Sequence, residues 1–243
     1  MSNLLRFLLV PVAASLVSCG GSDGFDFLSG TSIPDQPTST QSFPFAQAIA
    51  DFISTNHSYN VSVSGTVGGK AATGSGTFTY TAAIGSTFEG QSAFKEVIAL
   101  ATVISAGGIT LPFSDVRDNY FTTNYNPLGS SSPSGLDYCV VQGSPSYPHS
   151  VKVGDTLTIG TYNCYQDDTK NVATENDIER LVVETDTQTT VLVNVITEGF
   201  TLTNTLDFKT EERYRVDENG DMNLVSFTVT DPTTGDITVF TAQ

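Results

Sequence analysis

The chain has 243 residues, of which 26 are acidic and 10 are basic, giving a formal net charge of −16. Binding to a nucleic-acid backbone needs clustered Lys and Arg, so this charge argues against a DNA or RNA partner. With 39% hydrophobic and 15% charged residues, the composition is typical of a folded protein rather than of a charge-rich disordered polymer.

Residues 1–18 have the features of a secretory signal peptide. Arg6 precedes an apolar run from Phe7 to Ala14 that is too short to span a bilayer stably. The next motif, Leu16-Val17-Ser18-Cys19, resembles the lipobox of bacterial lipoproteins. This resemblance implies cleavage before Cys19 and fatty acylation of its sulfur, for example with palmitate, so that the chain is attached to a lipid bilayer.

The resemblance also implies a location. In lipoproteins of Gram-negative bacteria, Asp after the lipidated Cys often signals retention in the inner membrane, whereas this chain has Gly20. We therefore expect a lipid anchor in the outer membrane, with the body facing the periplasm or the cell surface. Acyl chains contribute about 0.8 kcal/mol per buried methylene. The alternative is an ordinary signal peptide in which Cys19 has no role.

The sequence therefore divides into three parts: the signal peptide, a lipid-anchored flexible tether over residues 19–44, and a single β domain over residues 45–243. The tether is rich in Gly, Ser, Thr, Asp and Pro, a composition typical of flexible linkers. A short helix is expected next, with Ser42 as its cap and Pro44 near its first turn. Its apolar residues at helical spacing are Phe45, Ile49, Phe52 and Ile53. An irregular arm is the alternative.

The rest of the chain alternates apolar and polar residues, which predicts antiparallel strands with one buried face. Tyr59, Val61 and Val63 share the first such face. A long strand is predicted from Phe200 to Tyr214, followed by a tight turn at Asn219-Gly220. A meander of four or five strands is expected from Arg180 to Ala242.

The stretch from Ser92 to Ser105 fits a helix or a strand, and we prefer a strand because of a weak internal repeat of about 90 residues. The order of strands and turns from Ala93 to Gly129 resembles that from Thr189 to Gly220. The sequence therefore predicts an all-β fold of antiparallel meanders, with two candidate halves at 59–135 and 150–243. The two meanders would close into a sandwich or a barrel and remove exposed edges.

Two cysteines, Cys139 and Cys164, follow Cys19. In an exported protein they are expected to form a disulfide, because the compartment is oxidising. On the chain-entropy model such a crosslink stabilises the fold by about 3–4 kcal/mol. The alternative is a reactive thiolate or a zinc pair, but neither cysteine has a partner at metal-ligand spacing. His57 and His149 are too few for a conventional metal site, so no metal and no cofactor are expected.

Tyrosines are concentrated around this cysteine pair, among Asn, Ser, Gly and Pro. A disulfide-braced surface of rigid aromatic rings suits contact with a saccharide or a peptide. The alternative is that these rings only occupy strand ends and turns, and the absence of Trp counts against a dedicated sugar platform. The candidate residues are Tyr120, Tyr125, Tyr138, Tyr147, Tyr162 and Tyr165.

Motifs of common enzymes are missing from the sequence, including a nucleophile elbow, a phosphate loop and His-Glu-x-x-His. Asp217, Asn219 and Asp221 resemble the start of a calcium loop, but the Gly and Glu that such a loop requires are lacking. We therefore expect a non-enzymatic envelope protein with a binding or structural role, whose partner is an envelope protein or a saccharide. The alternatives are a carboxylate-based hydrolase of envelope polysaccharide and a carrier of an apolar ligand in a barrel cavity.

Overall fold

The computed structural model describes residues 39–135 and 137–243. The predicted signal peptide, Cys19 and most of the predicted tether lie outside these residues. The described part contains one helix and twelve strands. They are α1 (Phe45–Ile53), β1 (His57–Val67), β2 (Lys70–Phe88), β3 (Gln91–Ala106), β4 (Ile109–Phe121), β5 (Pro127–Ser131), β6 (Tyr138–Val141), β7 (Thr156–Tyr165), β8 (Ala173–Thr185), β9 (Thr190–Thr201), β10 (Leu206–Asp217), β11 (Met222–Asp231) and β12 (Asp236–Ala242).

The twelve strands form a closed antiparallel barrel in which each strand pairs with the next along the chain. Closure comes from pairing of β1 with β12, where Val63 lies opposite Phe240. The all-β prediction is confirmed, and the structure selects a barrel rather than a sandwich. Because every strand has two neighbours, no long strand edge is left unpaired to recruit another chain.

Alternation along each strand decides which side chains enter the barrel. In β1, Val61 and Val63 are buried while Asn60 and Ser64 are exposed. The ambiguous stretch at residues 92–105 is part of β3, so the preference for a strand is confirmed. The main apolar core combines such inward residues from many strands with the buried face of α1.

Helix α1 packs into one end of the barrel through its apolar face. Phe52 meets the rings of Tyr80 and Tyr214 edge-on, at centroid distances of 5.0 and 5.3 Å. The expected cap at Ser42 is wrong, because Pro44 precedes the first helical residue and no side chain caps the helix. Proline suits this place, since an N–H group there would lack an intrahelical partner.

The end of the predicted tether belongs to the barrel. Phe43 is fully buried and pairs with Val151 through two backbone hydrogen bonds, each of 2.9 Å. The folded domain therefore includes Phe43, two residues before α1 begins.

The predicted long strand from Phe200 to Tyr214 is wrong, because the chain reverses between Thr201 and Leu206. Thr201 accepts a hydrogen bond from Asn204 N–H, and Asn204 has a positive φ of 61°, which Asn tolerates better than most residues. The later turn at Asn219-Gly220 is confirmed, and Gly220 has a φ of 92°.

The order of the strands is compatible with the predicted repeat. β3 and β4 stand six places before β9 and β10 in a twelve-strand ring, so each matched pair runs in the same direction. The lengths differ elsewhere, since β5 and β6 have 5 and 4 residues while β11 and β12 have 10 and 7. An internal duplication stays a prediction.

The barrel has two distinct ends. The helix end carries α1, the beginning of β1 and the end of β12, where the N–H of Gln243 donates to the carbonyl of Asn60 at 2.9 Å. The opposite end consists of the connections from β1 to β2, β3 to β4, β5 to β6, β7 to β8, β9 to β10 and β11 to β12. We call it the turn end.

Candidate functional site

A cavity of about 190 Å³ lies inside the barrel, beneath α1. Ile49, Phe52 and Ile53 of the helix form one side of it. The strands supply aromatic and acidic side chains to the other sides. This volume holds several water molecules or one small organic molecule, and it is below the roughly 300–1,000 Å³ of drug-sized sites.

Three glutamates line the cavity, and we call them the inner acids: Glu96 on β3, Glu179 on β8 and Glu212 on β10. Each has an apolar or aromatic neighbour two residues further along its strand, namely Ile98, Leu181 and Tyr214. Since residues two apart point to the same side of a strand, the strands themselves direct these carboxylates inward.

Tyrosine hydroxyls surround two of the inner acids. Tyr214 donates a hydrogen bond to Glu212, and Tyr162 donates one to Glu179. Tyr80 lies 3.2 Å from Tyr214, hydroxyl to hydroxyl. Burial raises the pKa of each of these phenols well above its usual range, so the hydroxyls stay protonated and act as donors.

Glu96 is the least compensated of the inner acids. Its side chain is 2% exposed, and its Oε1 has no hydrogen-bond partner among the described residues. Burial and then the charge of Glu212 raise the pKa of Glu96 to about 8, although a hydrogen bond with Asn119 opposes the rise. At neutral pH the carboxyl group therefore holds its proton for most of the time.

A second set of carboxylates, the outer acids, lies nearer the turn end: Asp115, Asp137, Glu175 and Asp177. Arg117 forms an ion pair with Asp137, at 2.7 Å between Nη2 and Oδ2. Burial and then the charge of Glu175 raise the pKa of Asp177 to about 8, while Arg117 opposes the rise. One oxygen of Asp177, Oδ1, is buried without a hydrogen-bond partner among the described residues.

The predicted disulfide between Cys139 and Cys164 is confirmed, with an S–S distance of 2.07 Å. The two residues face each other on β6 and β7, on the inner side of the barrel wall. Their sulfurs lie beside the outer acids, at 3.4 Å from Oδ1 of Asp137 and 3.5 Å from Oδ2 of Asp177. The crosslink thus borders the acidic part of the lumen.

The six tyrosines expected to form one ligand surface are divided by the alternation of their strands. Tyr120 and Tyr138 pack with Phe88 in a separate apolar cluster. Tyr120 also lines the cavity, together with Tyr147 and Tyr162. Tyr125 stacks on Phe94, and Tyr165 ends β7. Three of the six therefore line the lumen, and the set does not form a single platform.

His57 and the calcium-like turn make structural contacts, and His149 makes no side-chain contact that assigns it a role among the described residues. The ring of His57 stacks on Phe52 at 4.0 Å, and its Nε2 lies 3.1 Å from the carbonyl oxygen of Phe52. His149 is exposed. Asp217 Oδ1 accepts hydrogen bonds from the N–H groups of Asn219 and Asp221, which is how an Asx turn uses its carboxylate.

Reasoning from the sequence missed the lumen acids, although a pattern for them exists. Glu175, Asp177 and Glu179 alternate in phase with Leu181 and Val183, which are fully or almost fully buried. Acids in phase with the apolar face of a strand point into the core. Such acids are uncommon because an ionised carboxylate is costly to bury without a partner.

Comparisons with known proteins assign no family to this chain. The family models searched give no match, and the curated proteins searched give no match either. Among solved structures, the chain is similar to a DUF1329 family protein from Desulfovibrio piger ATCC 29098, at 15% identity and a TM-score of 0.30, over 83% of this chain and 92% of that chain. A closed barrel with an internal cavity is consistent with a binding or carrier role.

Within the described ranges, no helix combines the length and apolar character needed to cross a membrane.

Proposed function

We propose that this chain is a non-enzymatic, lipid-anchored binding protein of the outer membrane, whose barrel lumen holds a small organic cation such as an amine. One observation carries the proposal. The described residues that line the cavity include five acids and one basic residue, Arg117. The five acids are Glu96, Asp115, Asp177, Glu179 and Glu212.

Because acids outnumber bases in the lumen, ionised carboxylates there are unfavourable when no other cation is bound. Taking an ionised carboxylate out of water costs several kcal/mol unless an opposite charge or several hydrogen bonds replace the water. One guanidinium cannot balance five carboxylates, so burial raises the pKa of each of them and favours the neutral form without a ligand. A bound cation would favour ionisation of the carboxyl groups around it and pair with them.

The other cavity walls also suit a cation. Tyr80, Tyr147, Tyr162 and Tyr214 stand around the inner acids, and aromatic faces attract ammonium groups by about 0.5–2 kcal/mol. Their hydroxyls keep the carboxylates in place. The small volume limits the ligand to a compact molecule with a short apolar part, which the apolar face of α1 would contact.

A purely apolar ligand fits this lumen less well, because it would cover the carboxylates without replacing their water. The geometry therefore favours a cation over the apolar-carrier alternative.

A carboxylate-based hydrolase is the second candidate, on one observation. Glu175 and Asp177 each place a carboxylate oxygen within 4.8 Å of the other, near the roughly 5–5.5 Å between carboxyl groups in retaining glycosidases. A polysaccharide must lie across both groups in an open cleft, whereas this pair is buried in the barrel. Polysaccharide hydrolysis that is lost in Asp177→Asn would favour the enzyme over the binding protein.

The test of amine binding is calorimetric titration of the full chain with butylamine and diaminobutane, using butanol as a neutral ligand of similar size. We expect both amines to bind more tightly than butanol. Glu212→Gln keeps the shape of the side chain and removes its charge, so it should weaken amine binding more than about tenfold, or 1.4 kcal/mol, and leave butanol unchanged.

Glu218→Gln is the matched control, because Glu218 is exposed on the turn after β10. It should bind amines as the unmodified chain does. Calcium and magnesium chloride form a separate arm of the titration, since they would report metal binding to the same acids. Equal affinity for amines and butanol, or no effect of Glu212→Gln, would contradict the proposal.

The anchor has its own test, metabolic labelling of cells with a fatty acid. We expect the chain to carry the label and to fractionate with the outer membrane. Cys19→Ala should lose the label, because its side chain has no sulfur to acylate. Cys139→Ala is the control for loss of a different cysteine. A label that persists in Cys19→Ala would exclude lipidation at this residue.

A further inference from the structure

A second group of side chains that could bind a ligand lies beside the lumen, where the disulfide contacts the outer acids. Sγ of Cys164 and one carboxylate oxygen each from Glu175 and Asp177 all lie within 4.8 Å of one another. Asp137, Cys139 and Cys164 form a similar group on the other side of the crosslink. We propose that reduction of Cys139–Cys164 converts this place into a Zn²⁺ site formed by Cys139, Cys164, Glu175 and Asp177.

The donor set and spacing fit that ion. Zinc prefers four ligands in a tetrahedron, with bonds of about 2.3 Å to sulfur and 2.0–2.2 Å to carboxylate oxygen. Sγ of Cys164 and the two carboxylate oxygens already lie within 4.8 Å of one another. Sγ of Cys139 is bonded to Sγ of Cys164, so all four ligand atoms start close together. Two thiolates and two carboxylates combine the softer and harder ligands that zinc accepts.

An unused oxygen supports the site independently of the cluster itself. Asp177 is 4% exposed, and its Oδ1 has no hydrogen-bond partner among the described residues, while its Oδ2 lies 3.5 Å from Sγ of Cys164. A buried carboxylate oxygen without a partner is rare in folded proteins. After reduction of the crosslink, zinc bound between the thiolates and the carboxylates would coordinate that oxygen.

The oxidised crosslink prevents the site, since sulfurs joined in a disulfide carry no thiolate charge. An external dithiol can reduce the crosslink by thiol–disulfide exchange: it supplies two electrons and two protons, the S–S bond breaks, two thiols remain and the dithiol becomes a disulfide. The neighbouring carboxylates disfavour thiolates by like-charge repulsion. Zinc supplies the compensating positive charge, displaces the two thiol protons and any proton on the two carboxyl groups, and binds the sulfurs as thiolates. The state of the crosslink therefore controls whether metal binds.

The test uses the full chain with Cys19→Ser, so that Cys139 and Cys164 are its only cysteines. A phosphine is the reductant, because a dithiol would itself chelate zinc; the phosphine becomes its oxide with oxygen from water, and the thiols take the two protons. Zinc chloride is added, excess ion is removed by gel filtration, and metal per chain is measured. We expect one zinc per reduced chain and none per oxidised chain.

Variants distinguish zinc binding at this site from zinc binding to the two thiols alone. Asp177→Asn should lower zinc affinity more than about tenfold, since even partners outside the ligand set change metal affinity by about 10–100-fold. Asp168→Asn, at an exposed position in the connection from β7 to β8, should bind zinc as the parent does. Circular dichroism checks that the reduced chain keeps its strands.

Each remaining result would overturn the proposal. These results are equal zinc content in the oxidised and reduced chains, unchanged affinity in Asp177→Asn, and zinc that binds only to an unfolded reduced chain. Loss of amine binding in Glu212→Gln has no bearing on it, because Glu212 is not among the proposed zinc ligands.

Discussion

Raising the pH from about 5 to 9 should destabilise the ligand-free barrel, and Glu96→Gln should remove a measurable part of that loss. The cause is the buried position of Glu96, whose pKa rises from 4.5 to about 8 in the fold. Below pH 4.5 both the folded and the unfolded chain hold the proton. Between pH 4.5 and 8 the unfolded chain releases it first, so the free energy of unfolding falls as the pH rises.

The groups that face Glu96 explain why it resists ionisation. Glu212 on β10 repels its charge, while Asn119 on β4 donates a hydrogen bond. The charge of Glu96 in turn contributes to the raised pKa of Tyr80 on β2 and of Tyr147, which precedes β7. Arg117 on β4 lines the same cavity but lies beside Asp137. The surroundings therefore favour the neutral carboxyl group until a cation binds.

The measurement is urea unfolding of Glu96→Gln and of the unmodified chain at pH 4, pH 5 and pH 9. At pH 9 we expect the variant to be more stable by roughly 2–4 kcal/mol, because one decade of proton affinity corresponds to 1.36 kcal/mol. At pH 4 the two should be nearly equal. Glu218→Gln is the exposed control and should change little. If Glu96→Gln has the same pH dependence as its parent, Glu96 is ionised in the fold and this account is wrong.

The second large effect is expected at Gly76 in β2. A methyl group there would lie 2.1 Å from the carbonyl oxygen of Ala101 and 2.6 Å from Cα of Thr102. Both atoms belong to the backbone of β3, so no side chain can move aside to make room. Gly76→Ala must separate two paired strands, and we expect a loss of about 3 kcal/mol or more in the free energy of unfolding.

Gly85 provides the matched control within the same strand. A methyl group at Gly85 meets no atom within 4 Å. Gly85→Ala should therefore be neutral or stabilise by less than about 1 kcal/mol, because alanine restricts the unfolded chain. Urea unfolding and the soluble yield compare the two variants. Equal stability would mean that β2 and β3 are not held as closely as this register implies.

Local alternation predicted much of the wall of the barrel. Tyr59, Val61 and Val63 define an inward face, and the turn at Asn219-Gly220 has the residues that a positive φ demands. Closure was not predictable in the same way, since the pairing of Val63 with Phe240 joins residues at opposite ends of the sequence. A local pattern carries no information on such a pair, and a sandwich would show the same alternation.

The candidate site was less predictable for a related reason. The crosslink between Cys139 and Cys164 followed from their number and from the expected compartment. The inner acids are joined only by the curvature of the barrel, because Glu96 and Glu212 are far apart in the sequence and lie on strands that do not pair. Their phase within each strand marks them as inward, but only the closed ring shows that they share one cavity.

Both chain ends of the described barrel emerge on the same side, because the number of antiparallel strands is even. Immobilising the protein through its C-terminus, by a tag after Gln243, would thus attach it by the side that carries α1. The six connections of the opposite side would face freely into solution. An insertion into one of these connections would leave both chain ends unchanged. The turn end is therefore a suitable position for a reporter group that detects ligand binding in the barrel.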